Sequence, residues 1–205
     1  MLDANYAFNN RLDMLVSKTE LPDVLIIEPK RFGDSRGFFS EVFNEKIISE
    51  HIGPLKFVQD NHSLSQKKGT LRGIHFQSPP FAQDKLIRCV SGSILDIAVD
   101  LRRGSPTFGE SVGVEISAEN WRQLFVPKGF GHAFLTLTPD TEVIYKVTDY
   151  YAPDYDGGII WNDTDLEIAW GLGSHEAVEL SAKDMLLPKL ADFDTPFIYD
   201  PNLSN

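Results

Sequence analysis

The stretch SGSILDIAVDLRRGSPTFG, residues 91–109, alternates apolar and polar side chains with a period of two. Its two faces are Leu95, Ile97, Val99 and Leu101 on one side, and Asp96, Ala98 and Asp100 on the other. Successive side chains of a β-strand point to opposite sides, so this period indicates a strand. The Ser-Gly-Ser before it and the Arg-Gly-Ser-Pro within its second half are turn signals that bound the strand.

The same pattern recurs on both sides of that segment. FVPKGFGHAFLTLT (residues 125–138) and TEVIYKVTDYY (residues 141–151) alternate in the same way, and residues 22–43 predict two strands around the turn residues Gly33 and Asp34. Helical patterns are confined to residues 44–53 and to SAKDMLLPKLAD at residues 181–192. Short strands with Gly and Pro between them predict a mainly β protein, a jelly roll or related antiparallel sandwich.

The composition is that of an ordinary globular protein. A chain of 205 residues favours one domain, which we expect at residues 21–190, between an N-terminal arm at 1–20 and a C-terminal tail at 191–205. The net charge of −11 disfavours nucleic acid and anionic lipid membranes as partners. The single cysteine, Cys89, cannot form an internal disulfide, and no run reaches a membrane-spanning length, so we expect a cytoplasmic location.

TLRGIHFQ, residues 70–77, contains a histidine where many β-barrel proteins keep a metal. Barrels of the cupin type hold the metal with two histidines and a glutamate from one hairpin and a further histidine from a later one. Here His75 is followed by Gln77 where the second ligand would stand, and the later segment PKGFGH supplies His132. Two histidines without a carboxylate make a poor site for zinc or iron, so we expect a pocket without metal.

His75 then has two interpretations, a core histidine satisfied by a backbone carbonyl or a general base oriented by a carboxylate. The second is favoured by Arg72, Lys85 and His132, whose segments a barrel would fold around one cavity. In a flat strand Arg72 and His75 would point to opposite faces, so a shared cavity requires a bulge or twist, and Gly73 between them permits it. Cations gathered in an acidic protein predict an anionic substrate.

The motifs together resemble one family, the dTDP-4-dehydrorhamnose 3,5-epimerases. The similarity spans residues 21–190 and rests, in this order, on FGDSRGFFSE, FVQDNHSLS, TLRGIHFQ, QDKLIRCVSGSILDIAVDLRRGSPTFG, ISAENWRQLFVPKGFGHAFLTL, EVIYKVTDYYAP, IIWND and LSAKD. The resemblance implies a cupin-type jelly roll, a homodimer with exchanged strands, and neither metal nor cofactor. It also implies epimerisation at C3 and C5 of dTDP-4-dehydro-6-deoxy-D-glucose.

The resemblance also implies roles for individual residues. His75 matches the general base, Asp184 the aspartate that orients it, Tyr145 the general acid, and Lys85 the lysine that binds and stabilises the enolate. Tyr151 matches the tyrosine that stacks on thymine. The other substrate contacts that it implies are Arg36, Glu41, Gln59, Asp60, Asn61, Arg72, His132, Asp156 and Lys183. The family more often has glutamate at the position of Asp156, so a nucleotide contact there is expected to be shorter or water-mediated.

These residue types also fit the reaction on chemical grounds. A 4-keto group acidifies the protons on both flanking carbons, because the resulting carbanion is an enolate. Inversion of a carbon needs a base on one face of the ring, an acid on the other and a cation beside the enolate oxygen. His75, Tyr145 and Lys85 supply this set, and the sequence has no GxGxxG loop for a nicotinamide.

Each assignment has a structural alternative. Ser181 and Asp184 could form a helix capping box, Tyr145 could be a core aromatic, and Lys85 and Arg36 could be solvated surface charges. Two other functions also stay open. One is an epimerase that inverts C3 alone on a related dTDP-4-keto-deoxysugar, and the other is a non-catalytic cupin that binds a sugar or nucleotide.

Overall fold

A computed structural model describes residues 14–173 and 177–201 of the chain. Its strands are β1 (Leu15–Lys18), β2 (Leu25–Glu28), β3 (Phe32–Asp34), β4 (Gly37–Phe39), β5 (Gln59–Ser65), β6 (Leu71–Gln77), β7 (Lys85–Ser91), β8 (Ser93–Asp100), β9 (Ser111–Ser117), β10 (Gln123–Val126), β11 (Phe130–Thr136), β12 (Thr141–Val147) and β13 (Asp156–Gly158). The α-helix α1 (Glu45–Ile52) lies between β4 and β5. Short 3₁₀ turns occur at Pro153–Tyr155, Asp184–Leu186 and Leu190–Asp192.

Two antiparallel sheets form the body of the described structure. The six-stranded sheet has the order β1-β2-β10-β7-β12-β5, and the five-stranded sheet has the order β13-β6-β11-β8-β9. Most neighbouring strands come from distant parts of the chain, as the long connections of a jelly roll require. The prediction of a mainly β, cupin-type antiparallel sandwich is confirmed.

Apolar side chains fill the space between the two sheets. Ile87 and Val143 of the six-stranded sheet belong to the same cluster as Ala98 and Phe134 of the five-stranded sheet. Alternate residues of a strand share a face, so Asp96 lies on the face of β8 that carries Ala98. The polar face predicted for this strand is therefore turned toward the interior, where Asp96 is buried.

The apolar face of β8 is buried on the outside of the five-stranded sheet. Ile97 and Val99 lie in a second cluster with Trp170 and Phe197, which come from the part of the chain after β13. That part of the chain therefore forms a layer over the outer face of this sheet. Because both faces of β8 are covered, the strand that decides the fold lies at the centre of the molecule.

The helix predicted at residues 44–53 is confirmed. Asn44 begins α1, since its side chain accepts hydrogen bonds from two backbone N–H groups of the first turn. Ile48 and Ile52 are buried and pack with Leu86 and Phe125 on the outer face of the six-stranded sheet. No helix within residues 14–173 and 177–201 is long and apolar enough to cross a membrane.

Two local predictions differ from the structure. Residues 181–192 form two 3₁₀ turns rather than an α-helix, because Pro188 lies between them and cannot donate the backbone hydrogen bond of a continuous helix. Residues 22–43 hold three strands rather than two. Pro29 follows β2, and the turn at Gly33 and Asp34 belongs to a separate hairpin of β3 and β4.

The two expected terminal segments are partly described. Residues 1–13 and 202–205 lie outside the described residues, whereas Leu15–Lys18 pair with β2 as the edge strand β1. In the tail, the Thr195 hydroxyl donates to the carbonyl of Leu101 at 2.5 Å. The Phe197 ring meets the ring of Phe76 edge to face at 5.5 Å between centroids. The tail is thus attached to the back of β6.

Phe197→Ala should lower the free energy of unfolding by about 3 kcal/mol, as expected when a buried aromatic side chain is removed from a packed cluster. The residue is 6% exposed, whereas its neighbour Ile198 is 80% exposed, so Ile198→Ala is the matched control. Urea unfolding followed by tryptophan fluorescence measures both variants. Equal stability of the two would contradict a structural role for the tail.

Candidate active site

A bulge in β6 brings Arg72 and His75 to the same face of the strand. Opposite β11, His75 pairs with His132 and Arg72 pairs with Phe134, so three steps along β6 face two steps along β11. Gly73 within the bulge has φ +109°, and a Cβ there would lie 2.4 Å from the carbonyl oxygen of His132. Only glycine fits this backbone. The predicted irregularity at Gly73 is confirmed, and Arg72 shares an interior face with His75.

His75 and Asp184 form a hydrogen-bonded pair on this wall. His75 Nε2 lies 2.6 Å from Asp184 Oδ1, which leaves the other ring nitrogen for a ligand. Burial raises the pKa of Asp184, but the hydrogen bonds from His75 and from the backbone N–H of Gly73 outweigh it, and the pKa lies below its usual value. Asp184 is therefore a carboxylate at neutral pH and can orient the imidazole.

The alternative role of Asp184 in a capping box is only half present. Its backbone N–H donates to the Ser181 hydroxyl at 3.1 Å, as in such a box. Its carboxylate instead accepts from His75. The carboxylate of Asp184 therefore does not complete the capping box and is available for chemistry.

Lys85 lies at the start of β7 and points into the interior. Its side chain Nζ donates to the backbone carbonyl of His75 at 3.3 Å, and the residue is only 8% exposed. Burial lowers the pKa of Lys85 to about 8, although the carboxylates of Asp156 and Asp96 act in the opposite direction. Lys85 is therefore not a solvated lysine at the edge of a sheet, which was its structural alternative.

Tyr145 stands on the opposite sheet, in β12, next to Ile87 of β7. It is half-buried and packs against the apolar cluster between the sheets. Burial raises the pKa of its hydroxyl, with Arg72 acting to lower it and Asp156 to raise it. The ring of Tyr145 is thus part of the apolar core. Its hydroxyl is protonated at neutral pH and interacts electrostatically with Arg72 and Asp156.

The side-chain amides of Gln59 and Asn61 in β5 lie on the same face of the six-stranded sheet as Tyr145. Asn61 pairs with Tyr145 in the register of β5 and β12, and Gln59 lies two residues earlier, on the same face. The side chain of Gln59 donates to Asn61 Oδ1 at 2.8 Å and accepts from the backbone N–H of Tyr151 at 3.1 Å. These amides connect the wall of the cavity to the loop after β12.

Three of the expected substrate contacts form a cluster at that loop. The Tyr151 hydroxyl donates to Asp156 Oδ2 at 3.3 Å, and Lys183 forms an ion pair with the same carboxylate. The hydrogen bond that Lys183 donates to Asp156 raises the pKa of Lys183, which remains a cation at neutral pH. Tyr151 is largely exposed, so one face of its ring is accessible to a ligand.

The structure does not bring three of the predicted contacts to this cavity. Asp60 points away from Gln59 and Asn61 and forms an ion pair with Lys146 at 2.8 Å on the outer face of the sheet, because neighbours in a strand alternate. Glu41 accepts a hydrogen bond from the side chain of Asn44.

The third is Arg36, whose side chain is 88% exposed and pairs with Asp34 across the turn of the β3–β4 hairpin. This hairpin pairs with no other strand of the described residues. Within one chain, Arg36 is therefore a solvated surface charge, which is the structural alternative to its role as a substrate contact.

Two polar residues have contacts that the sequence did not reveal. Gln77 donates to the carbonyl oxygens of Phe81 and Tyr150 and accepts from the backbone N–H of Ala152, so it shapes the loop that carries Tyr151. Its place in TLRGIHFQ was the only available signal.

Asp96 holds the ring of His132, with 2.7 Å between Oδ1 and Nε2. No group of three or more potential metal ligands occurs among the described side chains.

Comparison with known proteins agrees with this geometry. A model of the family described as dTDP-4-dehydrorhamnose 3,5-epimerase matches residues 18–192. The enzyme of that name from Salmonella typhimurium is 54% identical over 86% of this chain and 96% of its own. The Legionella pneumophila dTDP-6-deoxy-D-glucose-3,5-epimerase, solved with dTDP-4-keto-L-rhamnose, has a TM-score of 0.87 at 46% identity, and the match covers 92% of this chain and all of that one.

A C3-specific relative is less similar. The 3'-monoepimerase ChmJ from Streptomyces bikiniensis, solved with dTDP-quinovose, has a TM-score of 0.79 at 35% identity, covering 85% of this chain and 87% of its own. The inversion of C3 alone is therefore less supported than inversion of both carbons.

Lys85 should release its proton at about pH 8, being an ammonium below that pH and a neutral amine above it. Burial disfavours the charged form, so the midpoint lies below the 10.5 of a free lysine side chain. NMR titration of isotope-labelled lysine side chains measures it, with the signal assigned by its loss in Lys85→Met. A midpoint near that of a free lysine would contradict the burial of the ammonium.

Proposed function

Because the chain belongs to the dTDP-4-dehydrorhamnose 3,5-epimerase family, we propose that its reaction takes place in the cavity between His75 and Tyr145. The enzyme is an isomerase that inverts C3 and C5 of dTDP-4-dehydro-6-deoxy-D-glucose and gives dTDP-4-dehydro-L-rhamnose. The observation that carries the assignment to this cavity is the His75–Asp184 pair. In this pair the Asp184 carboxylate binds one nitrogen of the His75 ring and orients the ring.

His75 is the general base. Asp184 fixes its ring and stabilises the imidazolium that forms when the proton is taken from the carbon beside the keto group. Tyr145 is the general acid, and its raised pKa keeps the hydroxyl protonated at neutral pH. The base stands on the five-stranded sheet and the acid on the six-stranded sheet. A sugar ring between the two sheets would meet them on opposite faces, as inversion requires.

Lys85 supplies the positive charge for the enolate oxygen. An ammonium in a site shielded from water stabilises a developing negative charge far more than it would in bulk solvent. Its pKa of about 8 leaves most of the lysine charged at neutral pH. The proposed reaction uses side chains alone, without a metal or an organic cofactor.

The remaining residues divide between the sugar and the nucleotide. Arg72, His132, Gln59 and Asn61 line the walls next to the acid and base and are assigned to the sugar and the diphosphate. The cluster at the loop after β12 is assigned to the nucleotide, with Tyr151 stacking on thymine and Asp156 and Lys183 beside it. Asp60 is left out of the site, because it pairs with Lys146 on the other face of the sheet.

A homodimer would complete the site. The β3–β4 hairpin exposes Phe32, Phe38 and Phe39 as well as Arg36, and aromatic residues and arginine are enriched at protein–protein interfaces. If the hairpin crosses to a second copy, Arg36 and Glu41 would enter the partner's cavity. This arrangement supports the role assigned to Arg36, which its position in one chain does not explain.

We further propose a cytoplasmic location, with which the free and buried thiol of Cys89 is compatible. The partner of the protein besides a second copy is then the dTDP-4-keto-6-deoxyhexose. Neither nucleic acid nor a membrane is a proposed partner, since the net charge is −11.

His75→Asn and Tyr145→Phe should separate proton exchange from inversion. Without His75 the enolate does not form, so exchange of the C3 and C5 protons with heavy water and epimerisation should both fall, on the order of 10²–10⁴-fold. In Tyr145→Phe exchange from the His75 face should outlast inversion. NMR of the dTDP-4-dehydro sugar measures both rates. Near-normal exchange in His75→Asn would reduce His75 to a substrate contact.

The same experiment on the unmodified enzyme distinguishes the reaction types. Solvent deuterium should appear at both C3 and C5 of the product. Deuterium at C3 alone would indicate the C3-specific epimerase, and binding without any exchange would indicate a carbohydrate-binding protein with no catalytic activity.

Arg36→Ala and His75→Asn should complement each other in a mixed dimer. If Arg36 acts in the partner's cavity, one cavity of the heterodimer has both defects and the other has none. A heterodimer purified with two different affinity tags should then have about half the activity of the wild-type dimer. Each homodimer of a single variant is the control. An inactive heterodimer, or a monomer by light scattering, would contradict the proposed exchange.

A further inference from the structure

Asp96 is a carboxylate at the centre of the protein with an incomplete set of partners. The residue is 0% exposed, in the middle of β8. Oδ1 lies 2.7 Å from Nε2 of His132, whereas Oδ2 has no hydrogen-bond partner in the described part of the chain. An unpaired buried carboxylate oxygen is costly, because desolvation is not offset by a hydrogen bond. Such an atom calls for an explanation other than stability.

Asp100 lies on the same face of β8 as Asp96 and has only structural contacts, so the two carboxylates can be compared. It accepts hydrogen bonds from the guanidinium and backbone N–H of Arg102 and from the hydroxyls of Ser105 and Thr107. Those contacts outweigh burial and hold the pKa of Asp100 below its usual value. At Asp96 burial dominates instead, and its pKa is raised despite His132 and Lys85. The two aspartates, four residues apart, thus differ in their hydrogen bonds and in the direction of their pKa shifts.

The charge of Asp96 acts on cavity groups from both sheets. On the five-stranded sheet it holds His132, the residue next to His75 across the strand pair. On the six-stranded sheet it acts on the ammonium of Lys85, and it contributes to raising the pKa of the Cys89 thiol. Asp96 therefore acts on two residues, His132 and Lys85, whose proposed roles depend on an oxygen of the substrate.

We propose that Asp96 is a positioning residue for the epimerisation, which holds the ring of His132 through Nε2 and supplies the negative charge that balances Lys85. With Nε2 engaged, Nδ1 of His132 is left for an oxygen of the substrate. With Asp96 ionised, Lys85 keeps its proton to higher pH and can stabilise the enolate. This inference rests on the proposed function, since it gives His132 and Lys85 the roles assigned to them there.

The other charged groups around Lys85 set what Asp96 can contribute. The titratable and charged side chains assigned to the cavity include Arg72 and His75 of β6, His132 of β11, Tyr145 of β12 and Asp156 of β13. Among these, Asp156 is the second anion that favours the ammonium of Lys85. However, Asp156 also forms an ion pair with Lys183. Asp96 has no such competing cation on its second oxygen among the described residues.

Asp96→Asn keeps the shape of the side chain and removes its charge. The titration midpoint of Lys85, measured by NMR on the free protein, should then fall by about one unit, as expected when a nearby opposite charge is lost. The alkaline limb of the pH–kcat profile should move by the same amount, while the acid limb should stay. Asp163→Asn is the matched control, because Asp163 is also buried and accepts from the backbone N–H groups of Asp165 and Leu190.

The contact with His132 is tested separately at pH 6, where Lys85 is an ammonium in every variant. There Asp96→Asn should lower kcat on the order of 10-fold, as for loss of an orienting partner. In a His132→Gln background the same change should have almost no effect on kcat, because no ring remains to be held. Equal losses in both backgrounds would contradict the positioning role.

The outcomes distinguish this inference from the proposed function. An unchanged Lys85 midpoint in Asp96→Asn overturns the inference and leaves the epimerase assignment standing, because the titration needs no turnover. A shifted midpoint with an unchanged pH–kcat profile also overturns it, since the charge would then not bear on the reaction. Should Asp96→Asn not fold, Asp96→Ala, which leaves no unpaired polar atom, is measured in the same way. The Asp163→Asn control should lose stability without moving either quantity.

Discussion

The bulge at Gly73 is the constraint on which the whole cavity depends. A regular β6 would place Arg72 and His75 on opposite faces, one in the interior and one in the outer layer. The extra residue of a bulge also leaves a backbone group without its partner in the sheet. Here the N–H of Gly73 contributes to lowering the pKa of Asp184, the carboxylate that also orients His75. One backbone irregularity thus puts Arg72 and His75 on one face and helps to fix the carboxylate that pairs with the proposed base.

The sequence predicted the parts of this arrangement that depend on alternation and on glycine. The period of two in residues 91–109 gives β8, and Gly73 between two interior residues indicates the bulge. The position of Asp60 followed from the same rule, since it alternates with Gln59 and Asn61, but treating FVQDNHSLS as one motif concealed it. Arg36 could not be placed, because its proposed role depends on a second copy of the chain. The helix predicted at residues 181–192 does not form, because Pro188 interrupts the apolar pattern on which that prediction rests.

Asp96 was visible in the sequence but had no apparent role there. An aspartate alternating with branched apolar residues is the usual sign of a strand with one face in water. The second layer of chain behind the five-stranded sheet removes that possibility, because the apolar face lies under this layer and the polar face must then point inward. The sequence does not reveal which face of a strand a distant segment will cover. The location of a charge in the interior is therefore a consequence of tertiary structure and not of local pattern.

Charged groups between the sheets weaken the core, and the outer layer offsets this cost. His75 and Phe76 are neighbours in β6 and point to opposite faces, so the strand that carries the proposed base turns a phenylalanine toward the tail. Phe76 packs against Phe193 at 5.1 Å and Phe197 at 5.5 Å between ring centroids. Aromatic contacts of this kind contribute roughly 0.5–1.5 kcal/mol each beyond the area that they bury. Since the interior side of β6 is occupied by polar groups that must meet a substrate, its apolar anchorage has to come from behind. Phe193 and Phe197 therefore hold the strand of the proposed base in place from behind the cavity.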